Sequence, residues 1–320
     1  MRFKKLDLNL LVALDAMLTE RSISRAAERV HLTQSAMSNA LARLREYFDD
    51  QLLVQVGRKM ELTPRAELLK DAVRDVLVRV DTTIAAHPDF VPEQADREFR
   101  LYVSDYSLQT LIPHVLALTQ AQAPGVRFQL LHQRTEPHRA LERGEIDLLV
   151  IPRNYCSQEH PLDTLFNEAF QCVVWRHSRR WSSDTMSLDD YANAGHVVML
   201  PAEGQPSFET WFMDRYGLSR HIEVTSFNFT SVPFLVVGTD RVATVHSRLA
   251  QQARQMLPLK CFVPPLPIPE MEQAMQWHKY RTQDPALSWL RSLFHEAVIR
   301  MNTAEADHAP PDQPTPPQHM

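Results

Sequence analysis

Glycine is scarce in this 320-residue chain, which contains only seven. Neither the spacing G-x-G-x-x-G nor the spacing G-x-x-x-x-G-K followed by Ser or Thr occurs. Dinucleotide-binding and P-loop proteins hold phosphate groups with such loops, because glycine lets the backbone approach the phosphates closely. We therefore predict that the protein carries no nucleotide cofactor.

Cysteine is also scarce, and long apolar runs are absent. The three cysteines lie far apart and form no C-x-x-C pair, so neither a disulfide framework nor a zinc site is indicated. No apolar run approaches the roughly 18 residues of a membrane span, and Asp7 follows the start too soon for a signal peptide. The sequence predicts a cytoplasmic protein without a membrane partner.

Histidine is plentiful, but the 14 histidines form no H-E-x-x-H pattern, so no metal site is predicted. The charge is uneven along the chain. Residues 1–87 contain 14 Lys and Arg against 12 Asp and Glu, whereas the remainder contains 20 against 27. A weakly basic head on an acidic body is the balance expected when only the head meets phosphate groups.

Two short amphipathic helices are predicted near the N-terminus. Apolar residues recur with helical spacing over residues 8–18, and Asp7 is placed to cap this helix. In the next segment, residues 22–30, Ala26 and Ala27 fall on the inner face. Small residues there let another helix cross closely, as a helix-turn-helix requires.

A third helix is predicted over residues 34–45, with Met37 and Leu41 on its inner face. Its outer face is small and polar, which suits a helix that enters the DNA major groove, because small side chains permit close approach and Gln or Asn can pair with adenine. An ordinary solvated face, the alternative, would carry more Glu and Lys. The predicted DNA-contacting residues are Ser24, Arg25, Thr33, Gln34, Ser35, Ser38, Asn39, Arg43, Arg58 and Lys59.

Residues 52–62 are predicted to form two short strands around a cationic turn, which suits a wing beside the minor groove. A long helix should follow, with Thr63 as its N-cap and Pro64 as its first residue. Its apolar residues form a single stripe along the helix, and such a stripe is normally buried against a second helix. We therefore expect a homodimer, or a homotetramer built from dimers.

Several motifs of this head resemble the LysR-type transcriptional regulators, and the similarity extends over residues 1–300. Ser35 departs from the proline that many members carry, but both residues start a helix well. The motifs are Leu6-Asp7-Leu8-Asn9-Leu10-Leu11, Ser24-Arg25-Ala26-Ala27, Leu32-Thr33-Gln34-Ser35-Ala36-Met37-Ser38, Leu41-x-Arg43-Leu44 and Leu62-Thr63-Pro64-Arg65-Ala66.

Beyond residue 97, short strands alternate with helices, which predicts α/β structure with mostly parallel sheets. The resemblance implies a two-lobed, periplasmic-binding-protein-like (type 2) effector domain behind an all-α winged helix-turn-helix. The predicted domains are a winged helix-turn-helix (1–62), a dimerisation helix (63–87), a hinge (88–96), an effector-binding domain (97–302) with lobes 97–168 plus 266–302 and 169–265, and a disordered tail (303–320).

Candidate effector-binding residues follow the carboxyl ends of predicted strands, where open α/β sheets bind ligands. Arg248 stands at one such turn, where a guanidinium group can hold a carboxylate or phenolate; a surface arginine is the alternative. Aromatic residues could stack on a ligand or belong to the core. The predicted residues are Ser104, Asp105, Tyr106, Thr135, Phe170, Gln205, Phe208, Phe229, Arg248 and Trp277.

Residues 269–291 resemble most the nodulation and naphthalene/salicylate-degradation branch of the family, through Pro269-Glu270-Met271-x-x-Ala274-Met275-x-Trp277-His278-x-Tyr280 and Asp284-Pro285-Ala286-x-x-Trp289-Leu290-Arg291. The resemblance implies a hydroxylated aromatic effector, and it assigns a carboxylate-binding role to Arg248. Ala169 stands where salicylate responders carry a ligand histidine. A phenol, hydroquinone or flavonoid-like effector is therefore expected.

The sequence thus predicts a regulator, more an activator than a repressor, that binds double-stranded DNA at an inverted repeat and, as the resemblance implies, contacts RNA polymerase. An effector-independent repressor and a structural nucleoid protein are the alternatives. An enzyme built on the two-lobed body is a further alternative, with Cys172, or His246 and Asp240, as its reactive groups. No motif supports it, and we predict that the chain is not an enzyme.

Overall fold

The computed structural model describes residues 6–57, 59–84, 89–133, 136–201 and 206–308. The described chain divides into two compact units. The first comprises the N-terminal residues up to 88 with the short segment 142–145, and the second comprises the remainder.

The first unit begins with three helices, α1 (Leu8–Glu20), α2 (Ile23–Arg29) and α3 (Gln34–Phe48). Each starts after a side-chain cap, because an oxygen of Asp7, Ser22 or Thr33 accepts a hydrogen bond from the backbone N–H three residues further on. Their shared core contains Leu14 and Met37, both fully buried. The predicted three-helix head is confirmed.

A two-stranded wing and a long helix complete this unit. Strands β1 (Leu53–Val56) and β2 (Lys59–Leu62) pair antiparallel, and helix α4 (Pro64–Ile84) follows. Thr63 caps α4 as predicted, since its Oγ1 accepts a hydrogen bond of 3.1 Å from the N–H of Ala66. On α4, Leu68 is 82% exposed, so the helix carries an uncovered apolar side chain.

The second unit contains two five-stranded sheets and the helices around them. In chain order its elements are β3 (Glu98–Val103), α5 (Asp105–Thr110), α6 (Ile112–Gln122), β4 (Arg127–His132), α7 (Pro137–Glu142), β5 (Leu148–Pro152), β6 (Leu162–Glu168), β7 (Phe170–Trp175), α8 (Leu188–Ala192), β8 (Gly195–Met199), α9 (Phe208–Tyr216), β9 (His221–Ser226), β10 (Val242–His246), α10 (Ser247–Met256), β11 (Leu259–Phe262), β12 (Met271–Gln276) and α11 (Pro285–His308).

The two sheets differ in strand order but share one design. The first has the order β4-β3-β5-β12-β6, with β3 parallel to β4 and β5 and with β12 antiparallel to both of its neighbours. The second has the order β11-β7-β10-β8-β9, with β8 parallel to β9 and β10 and with β7 antiparallel to its neighbours. Each sheet is therefore parallel in one part and antiparallel in the other. The α/β class agrees with the prediction, but the expectation of mostly parallel sheets was wrong, because antiparallel strand pairs are as numerous as parallel ones.

Several predicted elements differ from the structure. A single helix was expected from 108 to 121, but the chain breaks at Leu111, because Pro113 lies in the first turn of α6 and disfavours a continuous helix before it. The helix expected over 232–238 is a 3₁₀ helix, Val232–Val236. Strands β6 and β11 were not predicted, and β6 carries too many polar residues for an alternating pattern.

At the C-terminal end, α11 continues to His308, beyond the predicted start of the tail at residue 303. Alanine and glutamate in this stretch are good helix formers, and the first proline stands only at 310. The remaining tail, 309–320, lies outside the described residues, as do residues 85–88, which comprise the end of the predicted dimerisation helix and the first residue of the predicted hinge. The predicted domain boundaries themselves stay predictions.

Asp284 joins two arginines at the start of α11 and makes the stability of this unit sensitive to acid. Its carboxylate accepts hydrogen bonds from Arg97 and Arg281, the shortest from each being 3.0 Å. Burial alone would raise the pKa of Asp284, but the hydrogen bonds and charges of the two arginines outweigh it and lower the pKa to about 2. The carboxylate thus stabilises the folded state while it is ionised.

We expect Asp284→Asn to remove a pH-dependent part of the free energy of unfolding. The folded-state pKa lies below the ordinary value of 3.8, so this stabilisation is present above about pH 4 and is lost as the pH falls towards 2. The wild type should therefore lose about 2 kcal/mol more than the variant over this range. Urea unfolding at a series of pH values measures the difference, and parallel curves for the two proteins would contradict it.

Candidate functional sites

The exposed face of α3 brings together most of the predicted DNA-contacting residues. Gln34, Ser35, Ser38, Asn39 and Arg43 are all exposed there, whereas Met37, Leu41 and Leu44 are buried on the opposite face. The outer face carries no acidic side chain before Glu46. It can therefore approach the edges of base pairs without meeting phosphate groups with a like charge.

The remaining predicted residues of this face lie around it. Ser24, Arg25 and Thr33 are exposed at the adjoining helix and turn, and Lys59 is exposed at the start of β2. Arg58 lies outside the described residues. Their use in DNA contact stays a prediction.

Arg45 has a role that the sequence pattern did not indicate. Its guanidinium group donates hydrogen bonds of 2.9 Å to the carbonyl oxygens of Gln51 and Leu53. These carbonyls stand just before and at the start of the wing strand β1. Arg45 thus fixes the wing against the end of α3.

A small, narrow cleft opens in the second unit. Aromatic rings form much of its wall: Phe170 and Phe208 lie nearly parallel, with 5.9 Å between their ring centroids, and Phe229 approaches the ring of His246 edge-on at 4.8 Å. The lining residues are Phe170, Met199, Ser207, Phe208, Glu209, Phe229, Val232, Thr244, Val245 and His246. The chemistry of this lining, aromatic rings with a few polar groups, is of the kind that binds flat apolar molecules.

The cleft borders a buried cluster formed by Tyr106, Glu168 and Arg248. The Tyr106 hydroxyl donates a hydrogen bond to Glu168, and Arg248 Nη1 lies 2.5 Å from Glu168 Oε2. Burial, followed by the charge of Glu168, raises the pKa of Tyr106 well above its ordinary value, so the phenol stays protonated and donates. Arg248 also donates to Asn302 and lies over the ring of Phe166.

The predicted effector-binding residues are therefore only partly gathered in one place. Phe170, Phe208 and Phe229 line the cleft. Asp105 accepts a hydrogen bond from the Thr230 N–H, and the Oγ of Ser104 caps α5 by accepting a hydrogen bond from the N–H of Ser107.

Two other predicted residues lie apart from the lining. Trp277 is buried against Arg291, and its indole N–H donates to Thr282 Oγ1. Arg248 was expected to offer its guanidinium group to a ligand, but Glu168 occupies it, because the two charges are buried together. Thr135 and Gln205 lie outside the described residues.

Seven of the ten described lining residues were not among the predicted effector-binding residues, and His246 and Glu209 are two of them. His246 ends strand β10 at a turn where a ligand contact was expected, but Arg248 and not His246 was chosen from that turn. Glu209 lines the cleft and forms a buried ion pair with Arg220. A buried ion pair between residues eleven positions apart leaves no signal in a single sequence.

The reactive groups of the enzyme alternative are not activated. Burial raises the pKa of the Cys172 thiol to about 12, and its hydrogen-bond partner is Thr244. Asp240 accepts a hydrogen bond from Ser178. Within the described part of the chain, no group of three metal-ligating side chains gathers, and no helix is long and apolar enough to cross a membrane.

A winged helix-turn-helix joined to an α/β unit with an aromatic cleft defines a class of protein: DNA-binding regulators with a ligand-binding domain. The family comparisons agree with this class. Residues 8–67 match the bacterial regulatory helix-turn-helix protein, lysR family, and residues 92–298 match the LysR substrate binding domain. The chain belongs to the LysR family of transcriptional regulators, which are not enzymes.

Similar proteins include two nodulation D proteins. Nodulation protein D 1 of Rhizobium leguminosarum bv. phaseoli is 41% identical over 302 residues, covering 94% of this chain and 96% of that protein. Nodulation protein D 1 of Sinorhizobium fredii is 40% identical over 302 residues and covers 94% of each chain.

The solved structures show the same fold at low sequence identity. Full-length OxyR from Pseudomonas aeruginosa has a TM-score of 0.70 at 16% identity and covers 92% of this chain and 94% of that one. Full-length CbnR, solved with its target DNA, has a TM-score of 0.56 at 16% identity and covers 92% of this chain and 100% of that one.

Proposed function

We propose that this regulator activates an inducible operon in response to a small hydroxylated aromatic effector. The aromatic cleft carries the proposal, because the rings of Phe170, Phe208 and Phe229 offer a planar ligand stacking and edge contacts at once. The resemblance of residues 269–291 to the nodulation and naphthalene/salicylate-degradation branch supports the same effector class.

We further propose that it acts in the cytoplasm as a homodimer or homotetramer. Helix α4, with exposed Leu68 and Val76, supports a dimer interface through the linker helix. Each α3 then enters one major groove of an interrupted inverted repeat. Effector binding changes the relative angle of the two heads, and thus the DNA bend and the contact with RNA polymerase.

Electrophoretic mobility shift of the purified full-length protein tests both parts of this proposal. The probe is the DNA directly upstream of the gene that encodes this protein, with and without a panel of phenols, hydroquinones, benzoates and flavonoids. We expect a sequence-specific complex whose mobility changes with at least one hydroxylated aromatic. In-vitro transcription from the same DNA should then rise with that compound.

The outcomes separate the alternatives. Specific binding without any response to aromatics would leave the DNA-binding role intact and contradict the effector class, as expected for an effector-independent repressor. Binding that is equal on unrelated DNA would favour a structural nucleoid protein. Repressed rather than increased transcription in the presence of the effector would contradict the activator role.

A further inference from the structure

His246 occupies an unusual place in the wall of the cleft. It is the last residue of β10, it is 4% exposed, and its Nδ1 is buried with no hydrogen-bond partner among the residues that the structure describes. Aromatic rings surround it: Tyr106 stacks on it at 4.1 Å between centroids, Phe229 lies edge-on at 4.8 Å and Phe170 lies at 5.2 Å.

An unpaired buried nitrogen is costly, because the atom has lost its hydrogen bonds to water without replacement. Neighbouring polar groups, in contrast, have hydrogen-bond partners. The Tyr106 hydroxyl donates to Glu168, and Thr244 bonds to the hydroxyl of Tyr191 at 2.7 Å. His246 thus differs from its surroundings in having hydrogen-bonding capacity at the cleft that no described protein group uses. A ligand hydroxyl group would supply the partner if, on entering the cleft, it moved aside the rings that cover this nitrogen.

The charge of the cleft restricts which molecules can enter. Burial lowers the pKa of His246 to about 3, with only partial opposition from Asp105, so the imidazole is neutral at physiological pH. The acidic group in the lining, Glu209, is paired with Arg220, and Arg248 beside the cleft is held by Glu168. No lysine or arginine stands among the described lining residues.

A carboxylate in this cleft would lose its hydration without gaining a counter-ion, whereas a hydroxyl group would lose far less. A neutral imidazole, for its part, can exchange a hydrogen bond with a phenolic hydroxyl, because it carries one donor and one acceptor nitrogen. The geometry and the charge balance therefore favour the same kind of ligand.

Resting on the effector-responsive function proposed above, we propose that the cleft selects uncharged hydroxylated aromatic compounds and that His246 recognises the hydroxyl group through Nδ1. His246 is then a specificity-determining residue of the effector site. Arg248, the arginine nearest in the sequence, has a positioning role through Glu168 and does not bind a carboxylate of the effector.

Matched ligands test this inference on the full-length protein at pH 6.5 by isothermal titration calorimetry. Acetophenone and flavone serve as two scaffolds, each unsubstituted, with a hydroxyl group at its para position, or with a carboxylate at that position. We expect the hydroxylated member of at least one scaffold to bind about 10-fold more tightly than its unsubstituted parent. The carboxylate should bind at least about 10-fold more weakly than the hydroxylated compound.

Variants at His246 separate recognition from folding. In His246→Phe, the preference for the hydroxylated compound should fall to within about 2-fold of the parent, while the unsubstituted parent keeps its affinity. His246→Asn should retain part of the preference, because the side-chain amide stands near the position of Nδ1. The control, His177→Phe, changes an exposed histidine of the same unit and should leave every affinity unchanged.

Each outcome has a definite meaning. Equal binding of the carboxylate, or a hydroxyl preference that survives in His246→Phe, would overturn this inference and leave the aromatic-responsive function standing. Absence of binding by all six compounds to the wild type would contradict the proposed effector class itself, and this inference with it. Loss of binding by the parent compounds in His246→Phe would show that the residue shapes the cleft and does not read the hydroxyl group.

Discussion

Ser38→Glu is expected to abolish sequence-specific DNA binding. Ser38 is exposed in the second turn of α3, on the face that also carries Ser35 and Asn39. A glutamate there places a negative charge among the phosphate groups and adds length where the helix must approach the base pairs closely. We expect at least about a 100-fold loss of affinity for the operator, which corresponds to about 3 kcal/mol.

The loss should come from the interface and not from unfolding. Because the Ser38 side chain is exposed, the free energy of unfolding should change by less than about 0.5 kcal/mol. Ser288→Glu is the matched control, since it introduces the same charge at an exposed position of α11. Mobility shift of both variants, with thermal unfolding of each, gives the comparison. Operator binding by Ser38→Glu within a few-fold of the control would show that α3 does not read the DNA.

Arg248→Met is expected to destabilise the second unit strongly. Arg248 is the cation nearest to Glu168, whose side chain is fully buried, and the two groups lie 2.5 Å apart. Removal of the guanidinium group leaves a buried carboxylate with the Tyr106 hydroxyl and the N–H of residue 248 as partners. Loss of one partner of a buried ion pair typically costs about 3–5 kcal/mol, and we expect a decrease in unfolding free energy of this size.

A second ion pair in the same unit provides the control. Arg153 lies 3.1 Å from Glu272, but both side chains are about half exposed. Arg153→Met should therefore cost less than about 1 kcal/mol. Adding Glu168→Gln to Arg248→Met should recover part of the loss, because it removes the uncompensated charge. Urea unfolding of the wild type, the two single variants and the double variant measures these differences. Equal losses of unfolding free energy in Arg248→Met and Arg153→Met would contradict a stabilising role for the buried ion pair.

The DNA-binding head was predictable because its structure is determined by local sequence. Asp7, Ser22 and Thr33 each cap the helix that directly follows them, and the apolar spacing of α3 sets which side chains face outwards. Such caps and periodicities act within one or two helical turns. The role of Arg45 escaped prediction, since its hydrogen bonds to Gln51 and Leu53 depend on how the chain turns after α3.

The effector site was predictable only in part, because long-range packing builds it. The positions of Phe170, Phe208 and Phe229 near strand ends were sufficient to suggest ligand contacts. The ion pair between Arg248 and Glu168 could not be predicted, because the two residues lie eighty positions apart in the chain. Nor could a single sequence show that the Nδ1 of His246 is buried without a partner, since this depends on every neighbour at once.

The lining of the cleft also has a genetic consequence. The described lining residues all lie between Phe170 and His246, within one continuous stretch of the chain, whereas α3, the proposed DNA-reading helix, lies far upstream. If the cleft binds the effector as proposed, recombination that replaces this stretch of the coding sequence would change the effector and leave the recognised promoter unchanged. Related regulators could in this way come to respond to a new effector by exchange of one short segment, while they continue to regulate the same genes.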